Sequence, residues 1–168
     1  MFTINAQYYS MKKFFLLIIS FFFITCLFAQ EIKKIRITEL EKTIAESRTP
    51  LIINFWATFC KPCVEEIPYF LKAVKDHQKD SVKILLVSLD LQDLFPNKIK
   101  NFAVKHKFNA PIVWLDEYNA DYFCPKVDSA WSGAIPATLF INNKKGYRQF
   151  AEEQLSKEKL EKQIMAIL

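Results

Sequence analysis

Leu51-Ile52-Ile53-Asn54-Phe55-Trp56-Ala57-Thr58-Phe59-Cys60-Lys61-Pro62-Cys63 changes character partway along. Leu51–Trp56 is apolar and rich in β-branched side chains, the pattern of a strand buried on both faces of a sheet. Beyond Cys63, apolar Val64, Ile67, Phe70, Leu71 and Val74 recur at helical spacing, which predicts a helix over residues 62–78. Cys60 and Cys63 therefore stand where a buried strand gives way to a helix. Pro62 suits an early helical position, where its missing N–H costs nothing, and Pro68 predicts a kink further along.

The alternation continues outward from this junction. Residues 82–90 read as a second buried strand, and 96–108 as an amphipathic helix with Ile99, Phe102 and Val104 inward. A strand over 111–116 leads into a long connection over 117–135. Ala137–Asn142 is a strand, 143–146 a tight turn and 147–150 its hairpin partner. An amphipathic helix over 156–168, with Leu155, Leu160, Ile164 and Leu168 on its apolar side, closes the chain. Upstream, 38–47 reads as a short helix with Thr38 as N-cap and Glu41 completing a capping box. Helical crossovers imply parallel strands and the hairpin adds antiparallel ones, so the expected fold is a single α/β domain, a central mixed β-sheet flanked by helices.

Composition narrows the classes. The chain has 168 residues, 51% hydrophobic and 15% aromatic, enough apolar material for a core and too much for a disordered segment. Two glycines exclude a collagen-like chain and a Gly-rich phosphate loop. Four cysteines are too few for a disulfide-stapled mini-fold. Net charge is +5 with Lys and Arg scattered, which argues against nucleic acid as a partner.

Residues 1–30 read as a secretory signal peptide and 31–168 as the domain. Lys12-Lys13, a nearly unbroken apolar run from Phe14 to Phe28 and then Ala29-Gln30-Glu31 have the charge, length and small residue such a signal needs. The run is short for a membrane span of about 20 residues, and cleavage is expected near Ala29. Bulky Leu27 and Phe28 leave an uncleaved, anchored form as the alternative, in which membrane contact is confined to this N-terminal segment. Residues 1–10 precede the basic pair and fit no part of a signal, so Met11 is the expected true start. Ile24 and Thr25 are poor lipobox residues, which argues against lipidation of Cys26. Without residues 1–30 the chain keeps 21 basic and 18 acidic groups, net +3. The expected location is the periplasm or cell envelope, an oxidising compartment where thiol chemistry matters.

Cys60 lies at a helix N-terminus, where free N–H groups and the positive end of the helix dipole stabilise a thiolate, the nucleophilic form of cysteine. Cys63 is one turn on, within reach of a disulfide, and Lys61 adds a positive charge alongside. Redox chemistry is the reading favoured here. Half a zinc site would need two more ligands, and only Cys124, His77 and His106 remain. A structural disulfide of this spacing would constrain very little chain. An inert dithiol is the third alternative. Cys124 reads as a small packing residue, His77 and His106 as surface residues, and Lys144-Lys145 as a solvated turn.

Asn54-Phe55-Trp56-Ala57-Thr58-x-Cys60-x-Pro62-Cys63 resembles the active-site strand and loop of the thioredoxin superfamily, most of all its exported TlpA/ResA-like branch. A second segment, Trp131-Ser132-Gly133-Ala134-Ile135-Pro136-Ala137-Thr138, is similar to the one carrying that family's cis-proline. The resemblance runs from about residue 35 to the end. It implies a thioredoxin-like fold, with Cys60 as the attacking cysteine and Cys63 as the resolving one. It also implies that a cis Ile135–Pro136 bond aims the backbone of Ile135 at Cys60, to pair with an extended substrate chain. Trp56 and Phe59 would form an aromatic collar. Ile135, Pro136, Trp56, Lys61 and Pro62 are the expected substrate contacts.

Asn54 stands where many thioredoxins place a buried aspartate that moves the resolving cysteine's proton, and an amide cannot titrate. Glu66, one helical turn after Cys63, occupies a position where the branch carries glutamate. The expectation is a partly buried Glu66 with a pKa raised by desolvation, serving as proton acceptor; the alternative is a solvated helix glutamate like Glu65. The expected function is a thiol–disulfide oxidoreductase, a reductant of exported protein disulfides such as those met in cytochrome c maturation. It would be recharged by a membrane electron donor and use no cofactor beyond the Cys60–Cys63 disulfide. Two rivals are weighed. A peroxiredoxin-like peroxidase would carry threonine and proline where Ala57 and Ile53 stand, and a copper-binding chaperone on this fold would need wider cysteine spacing and a histidine ligand.

Overall fold

The computed structural model describes residues 31–168. The expected signal segment and the start at Met11 lie outside them. Strand β2 (Leu51–Trp56) is buried at every position, as an apolar β-branched run should be. Successive side chains point to opposite faces. Ile52 and Trp56 enter one core, and Leu51, Ile53 and Phe55 enter the other.

Around β2 the chain lays down β1 (Lys33–Ile35), α1 (Ile37–Glu46), α2 (Lys61–Asp76), β3 (Lys83–Ser88), α3 (Asn97–Lys105), β4 (Ile112–Leu115), α4 (Ala120–Val127), β5 (Ala137–Asn142), β6 (Tyr147–Ala151) and α5 (Lys157–Ile167). The sheet order is β1-β4-β3-β2-β5-β6. β1, β4, β3 and β2 are parallel, and β5 and β6 join antiparallel. This is the mixed sheet flanked by helices that the sequence implied. α2, α3 and α5 cover the face holding Trp56, Cys60 and Cys63, while α1 and α4 cover the face holding Phe55 and Cys124. Among the described residues no helix is long and apolar enough to cross a membrane.

Four local expectations are corrected. α1 starts one residue before Thr38, with Arg36 at the N-cap, because buried Ile37 is drawn into the first turn and its N–H donates to Glu117 Oε1 at 3.0 Å. Glu39, not Glu41, reaches back to accept the Arg36 N–H at 3.1 Å. In α3 the inward residues are Ile99 and Ala103, and Val104 is 68% exposed, since the fifth residue after Ile99 points away from its face. The connection over 117–135 contains α4, and β1 adds a strand upstream. The helix expected over 62–78 runs from Lys61 to Asp76, with Pro68 inside it.

Candidate active site

β2 ends at Trp56, and Ala57 to Phe59 turn the chain into α2. Asp90, buried just beyond β3, holds that turn. Its Oδ1 accepts the Thr58 N–H at 2.9 Å and the Thr58 Oγ1–H at 2.6 Å, and its Oδ2 accepts the Ser88 hydroxyl at 2.7 Å. The Trp114 indole N–H donates to the Asp90 carbonyl at 2.7 Å, so the turn is fixed from beneath by a fully buried ring.

Cys60 caps α2. It is bonded to Cys63, with their Cα atoms 5.3 Å apart, and its Sγ accepts the Cys63 N–H at 3.3 Å. An orphan amide of the first turn is thus aimed at the sulfur that would carry charge after reduction. Cys60 keeps 6% of its surface exposed and Cys63 none, so an incoming thiolate meets Cys60. Lys61 is exposed and pairs with Glu65 at 3.8 Å. Pro62 is half-buried and its carbonyl accepts from Gln154 Nε2 at 3.3 Å.

Glu66 lies one turn further along α2, wholly buried rather than partly so. Its Oε1 accepts from Asn54 Nδ2 at 2.8 Å and its Oε2 from the Leu155 N–H at 3.0 Å. Burial pushes the carboxyl up to about 7, against the opposing pull of these two donors. Asn54 Nδ2 also reaches Thr138 Oγ1 at 3.0 Å across the β2–β5 pair, and Asn54 Oδ1 is left without a partner among the described residues. Glu66 is therefore not a solvated glutamate like its neighbour Glu65.

The Ile135–Pro136 bond is cis, and so is Phe95–Pro96, which no reading of the sequence anticipated. The β2–β5 register pairs Phe55 with Ala137, so Pro136 and Ile135 continue alongside Trp56 and Ala57, at the strand end that leads into Cys60. Ile135 is half-buried against the core holding the cysteines, and Pro136 is buried. Trp56, expected to touch substrate, is wholly buried and packs on Phe108 and Phe102 with ring centroids 5.5 and 6.1 Å apart; it is core beneath the site. Phe59, 68% exposed, is the aromatic that the turn offers to solvent.

The other candidates lie elsewhere. Cys124 is buried beneath the opposite face of the sheet, and burial together with Glu152 and Asp121 pushes its thiol up to about 11, as befits a packing residue. Neither histidine is simply a surface residue. His77 caps α2 between Glu161 at 2.8 Å and Asp80 at 3.2 Å, and His106 stacks on Phe102 at 4.1 Å. Among the described residues no three His, Cys, Asp or Glu gather as a metal site. A cleft of about 1320 Å³ between Ser47, Lys83 and Pro111 opens at the far end of the strands and includes neither cysteine. Sequence reasoning missed Asp90, Thr138, Glu152 and Leu155. Only Asp90 carried a usable signal, as an acid at the C-terminal end of a parallel strand, where open α/β sheets place their sites.

Comparison with known proteins agrees with this geometry. The thiol-disulfide oxidoreductase ResA of Geobacillus kaustophilus (strain HTA426) is 29% identical over 118 residues, 70% of this chain and 62% of the relative. The sporulation thiol-disulfide oxidoreductase A of Bacillus subtilis (strain 168) is 34% identical over 62 residues, 37% of this chain and 38% of that one. The chain thus spans under two thirds of the length of these curated relatives. Among solved structures, a thioredoxin-related protein from Neisseria meningitidis serogroup B is 28% identical with a TM-score of 0.61, covering 72% of this chain and 86% of that one. StoA from Bacillus subtilis is 25% identical with a TM-score of 0.52, over 72% and 86% of the two chains. The AhpC/TSA family model matches residues 25–148, from before β1 into β6 and across both the Cys60–Cys63 turn and the cis-proline loop, and the chain belongs to that family, within the thioredoxin superfamily.

Proposed function

We propose that this chain is a thiol–disulfide oxidoreductase of the cell envelope that reduces disulfides in exported proteins. The observation that carries the reading is the asymmetry of the Cys60–Cys63 pair. The outer sulfur caps a helix and receives a backbone N–H, while the inner one is sealed and stands one turn from a buried carboxyl.

In the reducing direction the Cys60 thiolate attacks one sulfur of a client disulfide. A mixed disulfide forms and one client thiolate leaves. Glu66, ionised, takes the proton of Cys63, whose sulfur then attacks Cys60 and expels the second client thiolate. Two electrons have moved to the client, Cys60–Cys63 is oxidised, and the client thiolates take up the proton from Glu66 and one from water. Ile135 pairs with the client backbone, and Lys61, Pro62 and Pro136 line the approach. The redox group is the dithiol itself. A membrane electron donor returns it to the reduced state, and the N-terminal signal delivers the chain to the envelope, cleaved or as an anchor. The relatives named as oxidoreductases and the branch-like Cys-Lys-Pro-Cys sequence support the reading.

Trapping tests it. Reduced Cys63→Ser protein should accumulate a mixed disulfide with a disulfide-bonded peptide, seen by mass under non-reducing conditions, and Cys60→Ser protein should not. Equal trapping by both variants, or by neither, defeats the reading. Titration against glutathione sets the direction: a couple near the thioredoxin end of the range, about −270 mV, fits a reductant, and one near −120 mV makes the chain an oxidant.

A further inference from the structure

The carboxylate of Glu152, just after β6, has no part in the steps above, and neither cysteine touches it. It is nonetheless the acceptor for most of the loop before the cis-proline. Its Oε1 accepts the Ser132 N–H at 3.1 Å, the Ser132 Oγ–H at 2.5 Å and the Ala134 N–H at 2.9 Å, and its Oε2 lies 3.2 Å from the Ser132 N. These donors hold the carboxyl below its ordinary pKa despite the desolvation that opposes them. The Trp131 indole N–H closes the same loop on the Ala134 carbonyl at 2.9 Å. Gly133, between the clamped residues, sits at φ +98°, a conformation other residues rarely adopt, so the turn that presents the two sets of donors to Glu152 depends on glycine there. The clamp stops one residue short of Ile135, whose N–H and C=O have no hydrogen-bond partner among the described residues.

The segment bearing Glu152 also touches the rest of the site. Gln154 donates to the Pro62 carbonyl, the Leu155 N–H donates to Glu66 Oε2, and the Tyr69 hydroxyl donates to the Leu155 carbonyl. Three residues of this short segment, Glu152, Gln154 and Leu155, thus tie the loop to the cysteine helix and to its buried carboxyl.

Building on the function proposed above, we infer that Glu152 is a positioning residue for client binding: by gathering the donors of Ser132 and Ala134 it fixes the loop so that the open peptide groups of Ile135 face an incoming extended chain. It acts on how a peptide is held, not on the reactivity of the sulfurs. A client with a backbone should notice its loss, and a small dithiol or disulfide with none should not.

The experiment compares wild type with Glu152→Gln, Glu152→Ala and Ser132→Ala, using a disulfide-bonded peptide and, separately, oxidised dithiothreitol as substrates. Gln keeps an oxygen for the three donors but loses the charge, so KM for the peptide should rise severalfold in Glu152→Gln and about tenfold in Glu152→Ala, the cost of roughly one charge-assisted hydrogen-bond set. Ser132 is exposed, and Ser132→Ala, which removes one donor of three, should give a smaller rise in a protein that folds normally. kcat, the dithiothreitol rate and the Cys60/Cys63 potential should stay within about twofold or a few millivolts. An unchanged peptide KM in all three variants overturns the inference. So does an equal loss with both substrates, or a shifted potential, since either places the effect on the cysteines or the whole fold. If wild type itself fails to turn over the peptide while reacting with dithiothreitol, the proposed function fails and this inference falls with it; peptide turnover by wild type with no variant effect defeats only the inference.

Discussion

Glu66 carries two consequences of being buried with a pKa near 7. The first is kinetic. As a proton acceptor it must be ionised, so thiol–disulfide exchange by wild type should climb as pH rises through about 7, and Glu66→Gln protein should lack that limb; stopped-flow rates from pH 5 to 9 check this. The second concerns stability, and its sign is opposite. A carboxyl raised from 4.5 in the unfolded chain to about 7 in the fold is most favourable to folding when protonated. Its contribution is fully present below pH 4.5 and is lost as pH rises through 7. The loss amounts to about 3 kcal/mol, from 1.36 kcal/mol per pH step of pKa difference. Urea titrations should show wild type weakening over that window relative to Glu66→Gln, whose buried side chain stays neutral. A wild-type protein whose stability and rate both ignore pH between 4.5 and 7 would contradict the burial of an ionisable Glu66. Asn54 explains why such a carboxyl is tolerated: its amide donates to Glu66 Oε1 without adding a second charge, whereas an aspartate there would place two carboxyls 2.8 Å apart.

At the level of elements, what could be read in the sequence follows from what local pattern encodes. β2, β3 and β5 were legible because buried strands write themselves as apolar runs, and α2 and α5 because a 3.6-residue period survives over 16 and 11 residues. α4 was not, being eight residues long with Pro125 near its end; the Phe123–Val127 spacing alone marks its buried side. The site divided in the same way. Cys60, Cys63, Glu66 and Pro136 sit in contiguous motifs, while Asp90 and Glu152 act across 32 and about 20 residues of sequence, and nothing local marks a carboxylate for a distant loop. His77 is of the second kind. It ties the end of α2 to α5 through Glu161, and to its own turn through Asp80, and the Glu161 hydrogen bond leads the effects that raise its pKa. A histidine raised in the fold stabilises fully below its unfolded pKa of about 6.5, and that stability is lost as pH rises through its folded value. Wild type should therefore lose stability on going from pH 6 to 8.5 by an amount that His77→Gln does not lose, and Glu161→Gln should reduce the difference; denaturant midpoints across that range decide it. Parallel curves for wild type and His77→Gln would show that the two helices are held by packing alone.

For the molecule as a whole, the question is whether the disulfide holds the fold or merely rides on it. The sheet is buried on both faces, with Trp56, Phe70, Trp114 and Phe140 on one side and Phe55, Leu139 and Trp131 on the other. Most of the stabilising surface thus lies in contacts that a bond between neighbouring turns of chain does not cross. Cys60 and Cys63 stand three positions apart, so the loop their bond closes is nearly the shortest a chain can form. Chain-entropy arguments assign such a loop about 2 kcal/mol at most. Reduction also frees the Cys60 sulfur to ionise against the Cys63 N–H, which stabilises the reduced fold and shrinks the difference further. Reduced protein should then unfold in one cooperative step, with a denaturant midpoint lowered by no more than that 2 kcal/mol and an unchanged slope. Far-ultraviolet circular dichroism of the reduced state should match that of the oxidised one. A loss of 4 kcal/mol or more on reduction, or a reduced chain without cooperative unfolding, would make the bond a structural staple; a fold that its redox state barely perturbs can instead pass through both forms in every turnover.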